Sequence, residues 1–128
     1  MILLDTSVLV DSLAGLRNSA SPLRRALASG ERVVVPALVL YEWLRGPRRK
    51  EELAAQQALF PNELALSFGA AEAAISASLY RRLRRPRGRE LDIAIAACAI
   101  TYNAALWTLN MADFTDIPGL QLYEPATP

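Results

Sequence analysis

Met1-Ile2-Leu3-Leu4-Asp5-Thr6-Ser7 is the stretch whose reading decides the fold. Ile2, Leu3 and Leu4 form a short apolar run without polar alternation, which reads as a buried strand. Asp5 closes it, and Thr6 or Ser7 is placed to cap a helix starting near Val8. A carboxylate at the carboxyl end of a central parallel strand stands where open α/β sheets hold their ligands. It equally suits a helix N-terminus, where the dipole favours negative charge. The rest of the chain has to separate these two uses.

Outward from that stretch, strands and helices alternate. A helix is expected from Val8 to about Leu16. A second opens at Ser21-Pro22, with serine as N-cap and proline at the first helical position, and runs to Ser29. Arg32-Val33-Val34-Val35 reads as a strand, Ala37 to Arg45 as a helix ended by Gly46-Pro47, and Arg48 to Phe60 as a charged helix. In that last helix Arg48, Arg49, Lys50, Glu51 and Glu52 read as a solvated face. Leu64 to Phe68 is a strand candidate. Gly69 to about Arg84 carries Ala71, Ile75, Leu79 and Leu83 as a narrow apolar stripe. A further helix is expected over Glu90 to Tyr102, a strand over Ala105 to Thr108, and an edge strand over Leu120-Gln121-Leu122. The pattern predicts an α/β fold: a mainly parallel sheet of four to five strands, covered by helices on both faces, in one domain over 1–128.

Composition narrows the chemistry. The chain has 128 residues, 52% of them apolar, and a net charge of +1, so any affinity for nucleic acid has to come from a local patch. There is no histidine, which removes His-based acid–base pairs, Ser-His-Asp triads and histidine metal sites. The single cysteine, Cys98, lies in an alanine-rich apolar run and reads as core. One cysteine fits a reducing compartment. No basic leader precedes Asp5 and Asp11, so no signal peptide is expected, and no uncharged apolar run reaches the roughly 18 residues of a membrane span.

Four of the 13 acidic residues stand in apolar surroundings. Asp5 follows the first strand. Glu42 is the one charge in Ala37-Leu38-Val39-Leu40-Tyr41-Glu42-Trp43-Leu44. Asp92 starts the apolar run Ile93-Ala94-Ile95-Ala96-Ala97, and Asp113 follows a strand in Met111-Ala112-Asp113-Phe114. Gathering like charges raises the cost of ionising each of them, and a divalent cation removes that cost. Mg²⁺ or Mn²⁺ takes oxygen ligands and suits carboxylates drawn from separate elements. Such a site activates water against a phosphodiester. Glu90 and Asp92 lie two apart, roughly 200° around a helix, and cannot share one small site. Asp92 is preferred because Ala96 and Ala99 leave room beside it, and Glu90 reads as a partner of the helix dipole. Asp116 reads either as an additional or supporting ligand or as a loop residue before Ile117-Pro118-Gly119. Asp11 reads as the polar face of its helix.

With these residues in place the chain resembles a PIN domain, and most of all the small ribonuclease toxins of bacterial toxin–antitoxin pairs, the VapC type. The resemblance rests on Leu4-Asp5-Thr6-Ser7, on Pro36-Ala37 followed by Glu42, on Asp92-Ile93-Ala94-Ile95-Ala96-Ala97, and on Thr108-Leu109-Asn110-Met111-Ala112-Asp113-Phe114 leading into Ile117-Pro118-Gly119-Leu120. It implies a PIN-like three-layer α/β/α sandwich and a Mg²⁺- or Mn²⁺-dependent endoribonuclease of a type II toxin–antitoxin system in the cytoplasm. It carries over Asp5, Glu42, Asp92 and Asp113 as the acidic quartet. Asp5, Asp92 and Asp113 are then the metal ligands, and Glu42 binds through water or helps deprotonate the attacking water. Thr6 and Asn110 hold the site by hydrogen bonds, with Thr108 in support. A cognate antitoxin, an RNA substrate and a homodimer are implied as partners. Leu91 departs from the small residue or proline common before this aspartate.

Arg81, Arg82, Arg84, Arg85, Arg87 and Arg89 crowd the approach to Asp92, six arginines in nine residues. They suit a helix C-terminus, and Arg85, Arg87 and Arg89 also suit a phosphate-gripping edge. Tyr41, Trp43 and Leu44, spread around one turn beside Glu42, read as core and rim or as part of a docking groove. Phosphatases with an aspartyl nucleophile want a second aspartate two residues on, where Ser7 stands. Receiver-like phospho-acceptors want a late lysine, and Lys50 is the only lysine. A PIN-like module that binds RNA or protein without catalysis is the alternative from another class.

Overall fold

In the computed structural model, Ile2–Leu4 is a strand, β1, with all three residues buried. The structure describes residues 1–127, so Pro128 of the expected 1–128 domain lies outside the described residues. Successive strand side chains point to opposite faces. Ile2, Leu3 and Leu4 are 2% exposed or less, so both faces of the sheet are covered. β1 pairs in parallel with β2 (Val33–Val34) on one side and with β3 (Ala105–Trp107) on the other. β3 pairs in parallel with β4 (Gln121–Leu122), giving the order β2-β1-β3-β4. The chain leaves β1 toward one edge and later returns to its other side. The reversal falls at the carboxyl ends of β1 and β3, where α/β sheets open a ligand crevice.

Among the described residues six helices surround the sheet: α1 (Thr6–Leu13), α2 (Ala20–Ala28), α3 (Ala37–Arg45), α4 (Lys50–Leu59), α5 (Ala70–Arg82) and α6 (Glu90–Thr101). In α6, Ile93 and the unbroken run Ile95 to Ala99 are all buried, so this helix is apolar nearly all round and lies in the core. Its alanines let α5 and β3 approach closely. Cys98 is part of this core, and burial pushes its thiol up to about 11, which leaves it unreactive. In α3, Val39 and Trp43 face inward while Tyr41 and Leu44 stay exposed. Trp43 is therefore core and no part of a docking groove. The Arg48 guanidinium covers its ring at 4.2 Å, and Arg48 Nε donates to the Trp43 carbonyl at 2.9 Å. Among the described residues no helix is long and apolar enough to cross a membrane.

Several local expectations are corrected. Asp5, rather than Thr6 or Ser7, is the N-cap residue of α1. Ser19, rather than Ser21, precedes α2, so Pro22 sits one turn in, where a missing N–H is still unpaired by the helix. That start is fixed by Asp11, whose carboxylate accepts the Ser19 N–H at 2.6 Å instead of facing solvent. Leu64 to Phe68 is not a strand. Asn62–Leu64 is a 3-10 turn, and only Leu66 reaches the sheet, donating to the Val35 carbonyl at 3.0 Å and accepting from the Ala37 N–H at 2.7 Å. Pro36 offers no N–H and α3 begins at the next residue, so this isolated bridge has no ladder to join. Glu52 is buried rather than solvated. Its carboxylate accepts the Arg49 N–H at 2.8 Å, closing the start of α4. Glu72 does the same for the Gly69 N–H at 2.7 Å, while Ala71 of the expected stripe is exposed.

Trp43→Ala removes a side chain with no exposed surface and should cost about 3–5 kcal/mol of unfolding free energy. Leu64→Ala, at a side chain 72% exposed, should change stability by under about 0.5 kcal/mol. Urea unfolding of both variants checks the pair.

Candidate active site

Asp5 is 4% exposed at the junction of β1 and α1. Its N–H donates to the Trp107 carbonyl at 2.9 Å, and its carbonyl accepts from the Val8 and Leu9 N–H groups. The backbone is thus tied to β3 on one side and to the first turn of α1 on the other. The side chain makes no capping bond to the helix. Its Oδ2 accepts instead from the hydroxyls of Ser7 at 2.9 Å and Thr108 at 2.7 Å. These hydroxyls are themselves oriented: Thr108 Oγ1 accepts the Asn110 N–H and Ser7 Oγ accepts the Leu109 N–H, each at 3.0 Å. The carboxylate of Asp5 therefore belongs to the crevice between β1 and β3, not to the helix end.

Glu42, on α3, accepts a hydrogen bond from the Thr6 hydroxyl and pairs with Arg45 at 3.4 Å. Asp92 lies in the first turn of α6, and Asp113 ends the 3-10 turn Met111–Asp113. Asp92 is pushed up to about 6, first by burial and then by the charges of Asp5, Asp113 and Glu42. A carboxyl group that feels three other carboxylates, each from a different element, stands in one neighbourhood with them. The fold thus gathers Asp5, Glu42, Asp92 and Asp113 at one end of the sheet.

The remaining expected residues divide. Thr6 and Thr108 donate to Glu42 and Asp5. Asn110 contributes its backbone N–H, with its side chain at the surface. Asp116 gives both carboxylate oxygens to Arg89, at 2.6 and 3.0 Å, and this hydrogen-bonded pair holds Asp116 below the usual carboxylate range. Arg89 is thereby committed to an ion pair, while Arg85 and Arg87 are exposed and form no ion pair among the described residues. Ser7 was read from the sequence only as a cap. Its bond to a carboxylate two residues back is the local pattern by which serine competes for hydrogen bonds near helix starts, and the Asp-Thr-Ser string carries that signal.

The donor set suits a hard divalent cation, since every converging side chain is a carboxylate and the four arise from separate elements. Among the described residues no three acidic or cysteine side chains stand as a closed ligand set. The Asp5 and Glu42 oxygens are turned onto Ser7, Thr108, Thr6 and Arg45. The residues fit Mg²⁺ or Mn²⁺ in the chemistry of the donor set.

Comparison with known proteins extends this picture. The PIN domain family matches residues 2–120. Ribonuclease VapC19 of Mycobacterium tuberculosis is 37% identical over 123 residues, covering 94% of this chain and 98% of that protein. Among solved structures, DNA-bound VapBC from Salmonella typhimurium superposes with a TM-score of 0.80 at 19% identity, covering 98% of each chain. A toxin–antitoxin complex from Klebsiella pneumoniae does so with a TM-score of 0.72 at 24% identity, covering 98% of each chain. At these identities the structural likeness speaks for the fold.

Because its folded-state pKa is raised, Asp92 ionises at a cost that is absent below its unfolded value near 3.8 and complete once pH passes about 6. Asp92→Asn should therefore raise the melting temperature of the metal-free protein at pH 7.5 by roughly 3–6 °C. The advantage should shrink as pH falls from 6 toward 4. Thermal melts across that range in the presence of a chelator check both.

Proposed function

Because the chain belongs to the PIN-domain family, we propose that it is a metal-dependent endoribonuclease, the toxin of a type II toxin–antitoxin pair. Its chemistry is hydrolysis of RNA phosphodiester bonds, it acts in the cytoplasm as one domain, and it uses Mg²⁺ or Mn²⁺. The observation that carries this is the set of four carboxylates brought from separate elements toward one end of the sheet, where Asp92 is pushed up to about 6 first by its burial and then by the charges of Asp5, Asp113 and Glu42. The identity to a ribonuclease over nearly the full length of both chains supports the same assignment.

In this mechanism Asp5, Asp92 and Asp113 would hold the cation, and Asp5 is kept in register by the Ser7 and Thr108 hydroxyls. A bound divalent cation supplies Lewis acidity toward the phosphate and lowers the pKa of water at neutral pH. Glu42, steadied by Thr6 and Arg45, accepts the proton of the attacking water. Oxygen from that water bonds to phosphorus, the phosphorus–oxygen bond to the leaving nucleoside breaks, and the leaving oxygen is protonated from solvent. Arg85 and Arg87, exposed just before α6, contact RNA phosphates. A cognate antitoxin restrains the enzyme, which works as a homodimer. The solved neighbour described as a toxin–antitoxin complex supports the first of these.

The test is cleavage of a mixed pool of structured RNAs with Mn²⁺ or Mg²⁺, with chelator, and with Asp5→Asn. Cleavage that needs metal and disappears in Asp5→Asn is the expected result. Metal-independent cleavage would overturn the metal-dependent mechanism, and no cleavage by the wild type of any RNA in a broad pool that it still binds would favour the non-catalytic module. Replacing Arg85 and Arg87 together with alanine should weaken RNA binding and reduce the salt slope of log affinity by about 2. An unchanged slope in a salt titration would remove both from the interface.

A further inference from the structure

Asp92 and Asp113 are presented by two elements that share no strand ladder, the first turn of α6 and the 3-10 turn Met111–Asp113. Their charges oppose each other. Among the described residues, every hydrogen bond between segments 85–101 and 109–117 comes from one guanidinium. Arg89 Nη2 donates to Asp116 Oδ1 at 2.6 Å and to the Asp113 carbonyl at 2.9 Å, and Nη1 donates to Asp116 Oδ2 at 3.0 Å. Nη1 also donates to the Arg85 carbonyl at 3.2 Å, which fixes the fork from behind. Arg89 is itself the N-cap residue of α6, three residues before Asp92. One side chain thus ties the start of the helix that carries Asp92 to the backbone of Asp113.

We infer that Arg89 and Asp116 form a clamp that sets the separation of Asp92 and Asp113, and that Asp116 acts through Arg89 rather than as a metal ligand. The inference rests on the metal-dependent nuclease function proposed above. A planar guanidinium satisfies two carboxylate oxygens and a carbonyl at fixed angles, and an ammonium does not. The Asp116 side chain is 51% exposed, so the pair contributes little to stability as a simple ion pair. Its consequence is geometric. Both oxygens of Asp116 are spent on Arg89. Arg89 and Asp116 are positioning residues, with no contact to substrate required.

The experiment is calorimetric titration of Mn²⁺ into the wild type, Arg89→Lys, Arg89→Gln, Asp116→Asn and the double variant R89K/D116N. The metal-free melting temperature of each is recorded alongside. Each single variant should lose roughly 10–100-fold in Mn²⁺ affinity, as outer partners of metal ligands do. Arg89→Lys should lose as much as Arg89→Gln, because the fork and not the charge is what matters. The double variant should be no worse than the worse single, since both break one unit. Wild-type affinity in Arg89→Lys overturns the clamp. So do losses that multiply in the double variant, which would make Asp116 a ligand in its own right. If an Arg89 variant does not fold, Asp116→Asn, which leaves the guanidinium in place, still decides: unchanged affinity there overturns the clamp. Absence of Mn²⁺ binding by the wild type overturns the nuclease function itself, and shows before any variant is compared.

Discussion

The structure depends on keeping one carboxylate, Asp5, buried at the end of a strand that is covered on both faces. A buried carboxylate without partners is too costly to retain. Here the cost is met by two hydroxyls, Ser7 and Thr108, each fixed in turn by a backbone N–H from the segment after β3. That arrangement welds β1 to β3 at their carboxyl ends, so the same bonds that make Asp5 tolerable also define the floor of the crevice. The helices that follow, α1 from β1 and α6 before β3, are then obliged to start or pass beside it.

Once Asp5 is fixed, the other acidic residues face a like-charge problem, and each has its own answer. Glu42 has Thr6 and Arg45, and Asp116 has Arg89. Asp113 is at the surface, where water solvates it. Among the described residues Asp92 has no comparable donor, and burial and then repulsion push its carboxyl up.

Much of the fold was legible because the apolar pattern is strong. The run Ile2 to Leu4 has no alternation and became a doubly covered strand, and the Ile93 to Ala99 stretch became a core helix. The candidate site was legible for a related reason: Glu42 and Asp92 interrupt apolar surroundings, and such interruptions are costly unless used. The errors share a cause as well. Asp11, Glu52 and Glu72 were read as surface or left unread, yet each carboxylate accepts a backbone N–H at the start of a helix. Single residues in polar company give no pattern, so their partners are invisible until the chain is folded. Leu64 to Phe68 looked like a strand because its composition is apolar, but Pro36 deprived it of a ladder.

By itself, the sequence determined the α/β class, the parallel sheet, the exclusion of histidine chemistry and the four carboxylates, since all follow from residue type and local period. Only the tertiary structure decided how those carboxylates are held. Ser7 and Thr108 are 101 residues apart, yet both donate to Asp5, and Arg89 reaches across 27 residues to Asp116. Hydrogen bonds of this reach depend on strand order and on where helices start, and neither is fixed by any local stretch. The order β2-β1-β3-β4 places the ends of β1 and β3 side by side, and that adjacency brings the Ser7 and Thr108 hydroxyls together on Asp5.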